Sequence, residues 1–202
     1  YQLAGDINAE TLMALGELAV VVLLATLFHG LVVLPLLAWL FTGIRPLPLL
    51  AKLSQPMITA LSTSSSAATL PVSMETAARE FKINPDVSSV VLPLGATVNM
   101  DGTALFEGIA AVFLAQMFGI PLDPFTIITI FLVAMMASIG APGIPSGSMA
   151  GMQMVLLAIG VPLEAIALLL MIERPLDTFR TAVNVEGDLV GCILISKYEA
   201  KK

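Results

Sequence analysis

The sequence predicts an all-α, multi-pass membrane protein with three spanning helices and two re-entrant helical hairpins arranged as an inverted repeat. Three observations predict it. The composition is 57% hydrophobic and 12% charged with mean hydropathy +0.96, a balance that soluble domains of 202 residues rarely reach. The apolar runs come in two lengths: some reach the roughly 20 residues that cross a bilayer, and others stop near a dozen and sit in pairs around a polar tip. Finally, VNMDG at 98–102 returns as VNVEG at 183–187, each behind such a pair. Polar broken segments in corresponding halves are the pattern of secondary transporters.

Residues 1–17 are polar to mixed and carry only acidic charges, and Leu18–Phe41 is a nearly uninterrupted apolar span. It ends at TGIRPLPLLAK, where prolines break the helix. This polar segment and first helix form one unit, 1–45, and the core follows as 46–202. The first hairpin covers 46–78, two half-length apolar runs around the hydroxyl-rich Ser62–Ser66. A single helix with its serines on a packing face is the competing reading. Residues 75–86 form a charged, helix-friendly linker. The second span, 87–119, contains Asn99 and Asp101 next to Gly102, so local unwinding with freed carbonyls is expected there. The second hairpin, 125–161, turns at SIGAPGIPSGS, 138–148. The third span, 163–196, carries DTFRTAVNVEGD at 177–188 and ends in KYEAKK.

Charge distribution orients the chain. Arg45, Lys52, Arg79 and Lys82 fall between the first two spans, and Lys197, Lys201 and Lys202 close the sequence, while 120–124 and 160–164 hold no Lys or Arg. If both hairpins return to their own side, every basic site faces the cytoplasm, the C-terminus included. The net charge of −6 and the lack of a basic patch exclude nucleic acid as a partner. Cys192 is the single cysteine, which excludes an internal disulfide or a cysteine-built metal site. His29 sits in LFHGLVV and reads as a helix-packing or interfacial residue. The chain begins at Tyr1 without a signal-peptide pattern, which leaves open that it is a fragment.

At about 100° per residue, Asp177, Thr181, Asn184 and Asp188 share one helical face with Arg180 at its edge, and Phe179 and Val183 point away. Ionisable groups at membrane depth cost roughly 2.5–3.5 kcal/mol each on insertion scales, so they are rare and mark function. Arg180 can fork onto a carboxylate, Asp177 can hold an ammonium, and Thr181 and Asn184 add neutral hydrogen bonds, a set that suits a zwitterion. Asp188 and Asp101, with carbonyls near Asn99 and Gly102, offer the oxygens that hard cations prefer. The competing reading pairs Arg180 with Asp177 merely to staple the helix. Glu186 lies on the opposite face and has no account at this level.

TSSSAATLP (63–71), LGATVNMDGTALFEG (94–108), SIGAPGIPSGS (138–148) and DTFRTAVNVEGD (177–188), in this order, resemble the dicarboxylate/amino acid:cation symporter family, the excitatory amino acid transporters and their prokaryotic relatives. The resemblance runs from about residue 14 to 198 and is to the family's C-terminal core. It implies a secondary active symporter in the cell membrane, not an enzyme, that takes up glutamate or aspartate by alternating access. Sodium, protons or both would be the coupling ions, with no further cofactor, and the complete protein would be a homotrimer in the bilayer. It implies substrate contacts from Ser65, Ser66 and Thr103, from backbone around Gly143 and Ile144 in a gating second tip, and from Asp177, Arg180, Thr181 and Asn184. One cation site would use Gly95, Asn99, Asn184 and Asp188. A second would use carbonyls of Thr97, Ser138, Ile139 and Ala141 near Met100, and a third Asn99 and Asp101 with partners on a helix this sequence does not contain. Glu107 is the candidate to carry a proton, or else a glutamate that faces a polar cavity without titrating.

Ser64 and Thr178 stand where the family usually carries a further arginine. Within the resemblance, Arg180 implies acidic substrates, because neutral amino acid members lack it, and Asp177 implies amino acids, which leaves C4-dicarboxylate or neutral amino acid symport as the alternative. An intramembrane protease is weaker still, because no serine has an evident base. A channel would conduct without substrate and without saturating at low turnover.

Overall fold

The structure, a computed structural model, describes residues 9–200, all of it helices and their connections with no strand among the described residues. Lys201 and Lys202 of the orientation argument, and residues 1–8 of the N-terminal segment, lie outside the described residues. The first helix α1, Ala9–Phe28, passes through a π-helical turn, His29–Val33, into α2, Leu34–Thr42. It therefore starts earlier than the expected Leu18, because the Ala, Leu and Met of ETLMALGE are strong helix formers. Gly43, at φ +78°, ends α2.

The first hairpin is α3, Pro46–Thr63, and α4, Ser66–Phe81. Its tip is only Ser64–Ser65, narrower than the serine run, and α4 continues through the expected charged linker as far as Phe81. Then come α5, Pro85–Val98, and α6, Asp101–Met117, separated at Asn99–Met100. The break expected at NMDG is thus present. The second hairpin is α7, Pro124–Ile139, and α8, Ser148–Ile159, around the tip Gly140–Gly147. A 3₁₀ turn, Leu163–Ala165, leads into α9, Ile166–Glu199.

Local chemistry explains the boundaries. Pro46, Pro85 and Pro124 each open a helix, where a missing N–H costs nothing. Asn84 caps α5 and Asp123 caps α7 through the N–H of Asp86 (3.0 Å) and Thr126 (2.7 Å). Pro56, Pro71, Pro93 and Pro175 lie inside helices, as membrane helices tolerate.

Helix α9 is the axis. Around its C-terminal half, Val185, Leu189, Val190 and Ile193 pack with Leu34, Leu49, Leu53, Ala60, Ala77 and Leu92 of α2, α3, α4 and α5. Around its N-terminal half, Leu168, Leu169 and Leu176 pack with Leu15, Val22, Phe106, Leu114, Met152 and Leu156 of α1, α6 and α8. The polar stripe 177–188 lies between these two apolar bodies. The boundary proposed at 45/46 falls in the connection Gly43–Arg45, yet α2 and α3 share one core across it. Outward faces stay apolar: Val20, Leu24 and Leu31 on the first helix and Phe125, Ile128, Phe131 and Met136 on α7 are exposed. Ala9–Thr42 and Pro85–Met117 are long and apolar enough to cross a membrane. Helix α9 has the length but carries more charge.

Candidate functional site

Asp177, Arg180, Thr181, Asn184 and Asp188 are all buried, and Phe179 on the far side is exposed. Val183 also points away from the stripe, but toward the π-helical turn, so it is buried too. The guanidinium of Arg180, 1% exposed, is the centre. Its Nη2 donates to Asp177 Oδ1 at 3.2 Å and to Glu173 Oε1 at 3.1 Å, and its carbon stands 3.9 Å over the Phe106 ring. Nε and Nη1 have no partner. Buried donors are rarely left open, so these two call for an acceptor that the described hydrogen bonds do not supply. The stapling reading is half right: Arg180 pairs with Asp177, but with donors to spare.

The second tip closes over this group. Ser146, left-handed at φ +61°, donates its N–H to Asp177 Oδ2 and its hydroxyl to Glu173 Oε2, both at 2.9 Å. A non-glycine residue there is unfavourable, and the two bonds hold it in place. Ser64 at the first tip is left-handed as well, at φ +50°. The tips meet each other: Ser65 Oγ donates to the Gly143 carbonyl at 2.7 Å, and the Ala67 N–H reaches the same oxygen at 3.2 Å.

Between the tips and α9 lies a pocket of about 10 Å³, edged by Ser66, Thr103, Gly143, Ile144, Asp177 and Thr181 among others. That is space for about one water, so the arrangement is closed. Ser65 does not edge it, because its hydroxyl caps α4 and bonds the other tip. Arg180 does not edge it, but its partner Asp177 does.

The helix break supplies the other half. Asn184 Oδ1 accepts from the Gly102 N–H at 2.8 Å, and its amide donates to Thr103 Oγ1 at 3.2 Å. Asn99 donates to Asp188 Oδ1 at 3.1 Å. A Cβ on Gly95 would stand 2.6 Å from that same oxygen, so the α5 backbone lies directly on the Asp188 carboxylate. Gly95, Asn99, Asn184 and Asp188 are therefore together. Asp101 Oδ2 is bonded instead to His29 Nε2 at 2.8 Å. His29 is thus tied to the polar centre, not a distant packing residue, because the π-helical turn brings its ring to α6. Ser138 and Ala141 are buried near the tip, whereas Thr97 and Ile139 are exposed and the Thr97 hydroxyl serves its own helix. Ser138, Ile139, Asn99 and Asp101 border a mainly apolar cavity of about 520 Å³. Among the described residues no cluster of three His, Cys, Asp or Glu side chains has metal-site geometry. A cation here would rest mostly on carbonyl and amide oxygens, as hard cations accept. Glu107 is fully buried with both oxygens unpartnered, and α8 touches it through Gly151.

Glu173 escaped the sequence reading, although it lies one turn before Asp177 and shares its face. It lies just outside the polar stretch 177–188, and its tie to Arg180 and Ser146 appears only in the fold.

Interrupted helices that bring buried charge together inside an apolar all-α body define the class of helical membrane transporters. The profile of the sodium:dicarboxylate symporter family matches residues 1–198, and this chain belongs to that family. It is 42% identical over 193 residues to excitatory amino acid transporter 3 of Mus musculus, covering 96% of this chain and 37% of the relative. With excitatory amino acid transporter 2 of Homo sapiens it shares 44% over 181 residues, 90% of this chain and 32% of the relative. The chain spans about a third of the length of these curated relatives. The family is one of membrane transporters, not enzymes.

Proposed function

We propose that this chain is the substrate- and cation-binding core of a secondary active symporter for acidic amino acids, glutamate or aspartate, working by alternating access. The observation that carries the reading is Arg180: a fully buried guanidinium with two open donors, next to a carboxylate, beneath a closed tip. The side-chain carboxylate of the substrate takes Nε and Nη1, and its ammonium takes Asp177. Ser66, Thr103, Thr181 and Asn184 supply the neutral contacts, with backbone of Gly143 and Ile144 above. A dicarboxylate without an amino group leaves Asp177 unmatched, and a neutral amino acid leaves Arg180 unmatched, so both bind less well.

Sodium is held by Asp188, Asn99 and Asn184 with the backbone at Gly95, and by carbonyls at Thr97, Ser138, Ile139 and Ala141 near the second tip. Asn99 and Asp101 form part of a further site, and Glu107 is the group placed to carry a proton. The two hairpins enter from opposite faces of the cell membrane as an inverted repeat with α5–α6 and α9, the second tip is the outer gate, and the C-terminus is cytoplasmic. The complete protein assembles as a trimer.

Calorimetry of aspartate binding to the full-length protein, with and without sodium and at two pH values, tests this. Heat that requires sodium in the wild type and vanishes in Arg180→Ala is expected. Heat independent of sodium and pH contradicts it.

A further inference from the structure

Glu186 is the ionisable group on α9 that the substrate and cation sites leave unused. It faces away from the stripe, is fully buried, and both its carboxylate oxygens lack a hydrogen-bond partner. It meets the first helix at its π-helical turn: a Cβ on Gly30 would stand 3.1 Å from Glu186 Oε2. Thr26, one turn earlier on the face formed by Leu15, Leu18, Val22 and Gly30, is 1% exposed and its hydroxyl is also unpartnered. Two sets of unsatisfied oxygens therefore sit on one dry helix–helix interface.

Asp101 closes the far side. A Cβ on Gly187, the neighbour of Glu186, would lie 3.0 Å from Asp101 Oδ2, and that oxygen bonds His29, the neighbour of Gly30. His29, Asp101, Glu186 and Gly30 thus form a ring around the crossing of the first helix and α9. A π-helical turn shifts the helix phase locally and recurs at functional sites; here it sits where the carboxylate needs backbone rather than side chain opposite it. A buried carboxylate with neither donor nor counter-charge is neutralised, by a proton or by a cation, and the second carboxylate and the hydroxyl at this crossing supply further oxygens for a cation.

We propose that Glu186 and Thr26, backed by the Asp101 carboxylate, form a site for a monovalent alkali cation at the crossing of the first helix and α9. It is separate from the Asp188 group on the stripe and shares only Asp101 with the further site named above; Glu186 and Thr26 are the ligands proposed here. Hard, oxygen-only ligands and the excess of negative charge select such an ion over a softer metal. The inference rests on the cation-coupled reading above and extends it to a face of α9 that binds no substrate.

The test uses the purified full-length protein without amino acid. Its melting temperature is followed as sodium chloride, and separately potassium chloride, replaces choline chloride. For one of the two ions, Glu186→Gln raises the half-saturating concentration at least tenfold, and Thr26→Val raises it severalfold. Gln keeps the size and polarity of Glu, so a carboxylate that simply carries a proton predicts no change. Unaltered sodium and potassium midpoints in both variants overturn the proposal. Should Glu186→Gln fail to fold, Thr26→Val decides alone. Loss of sodium-dependent aspartate binding in the wild type instead sinks the symporter reading, so the two failures are distinguishable.

Discussion

The two helical hairpins occupy equivalent places in the internal repeat, yet they are built differently. The first turns within Ser64–Ser65 and buries Leu49, Leu53, Ala60 and Ala77 in the core around the C-terminal half of α9. The second turns through Gly140–Gly147; α7 buries Ile130, Ala134, Ala137 and Ser138, and α8 buries Gly151, Met152, Val155 and Leu156. Both are packed along their helices and differ at the tips: the first is a two-residue turn, the second a longer segment held by a few hydrogen bonds, from Ser146 to Asp177 and Glu173 and from Ser65 to Gly143. Stability is not uniform across a fold, and elements that must move are drawn from its weakly packed end. On the proposed function, the first tip is then a fixed wall and the second a movable lid.

The largest effect is expected where the lid meets the wall's charge. Arg180→Ala removes the guanidinium and leaves Glu173 and Asp177 as unpaired buried carboxylates. Aspartate binding should weaken by about 2–5 kcal/mol, roughly 30-fold to several-thousand-fold, read by calorimetry. Comparable in energy, but on stability, is Leu53→Ala in the first hairpin, which should cost about 2–5 kcal/mol by its cavity. Ile128→Ala on the exposed face of α7 should lie within about 0.5 kcal/mol of wild type. Equal losses at the two positions would contradict the burial assigned to each. Smaller still, Ser146→Gly relieves the left-handed serine but removes the hydroxyl bond to Glu173. Hydrogen exchange at 140–147 should quicken severalfold while exchange in α3 and α4 stays at its wild-type rate.

Much of this difference was legible in the residues. Gly140, Gly143, Pro145 and Gly147 announce a long flexible tip, and NMDG announces the break at Asn99–Met100, since glycine beside polar residues is poor helix inside an apolar run. Helical periodicity alone put Asp177, Thr181, Asn184 and Asp188 on one face. What stayed hidden depended on tertiary contact or on membrane tolerance of odd helices. The π-helical turn at His29–Val33 has no composition signal, so the His29–Asp101 bond and the Gly30–Glu186 contact could not be foreseen. Glu173 lies inside the expected span but four residues before the polar stretch at 177–188, so only its contacts with Arg180 and Ser146 show that it belongs to the same group. The narrow first tip follows from Ser65, which caps α4 and so draws Ser66 into the helix.

Wall and lid must separate when the site fills. Hydrogen exchange of the full-length protein, compared with and without saturating aspartate and sodium, reads this out at both tips. Strong new protection over 140–147 and little change over 63–66 are expected. Equal protection of the two tips, or protection confined to the first, would contradict it.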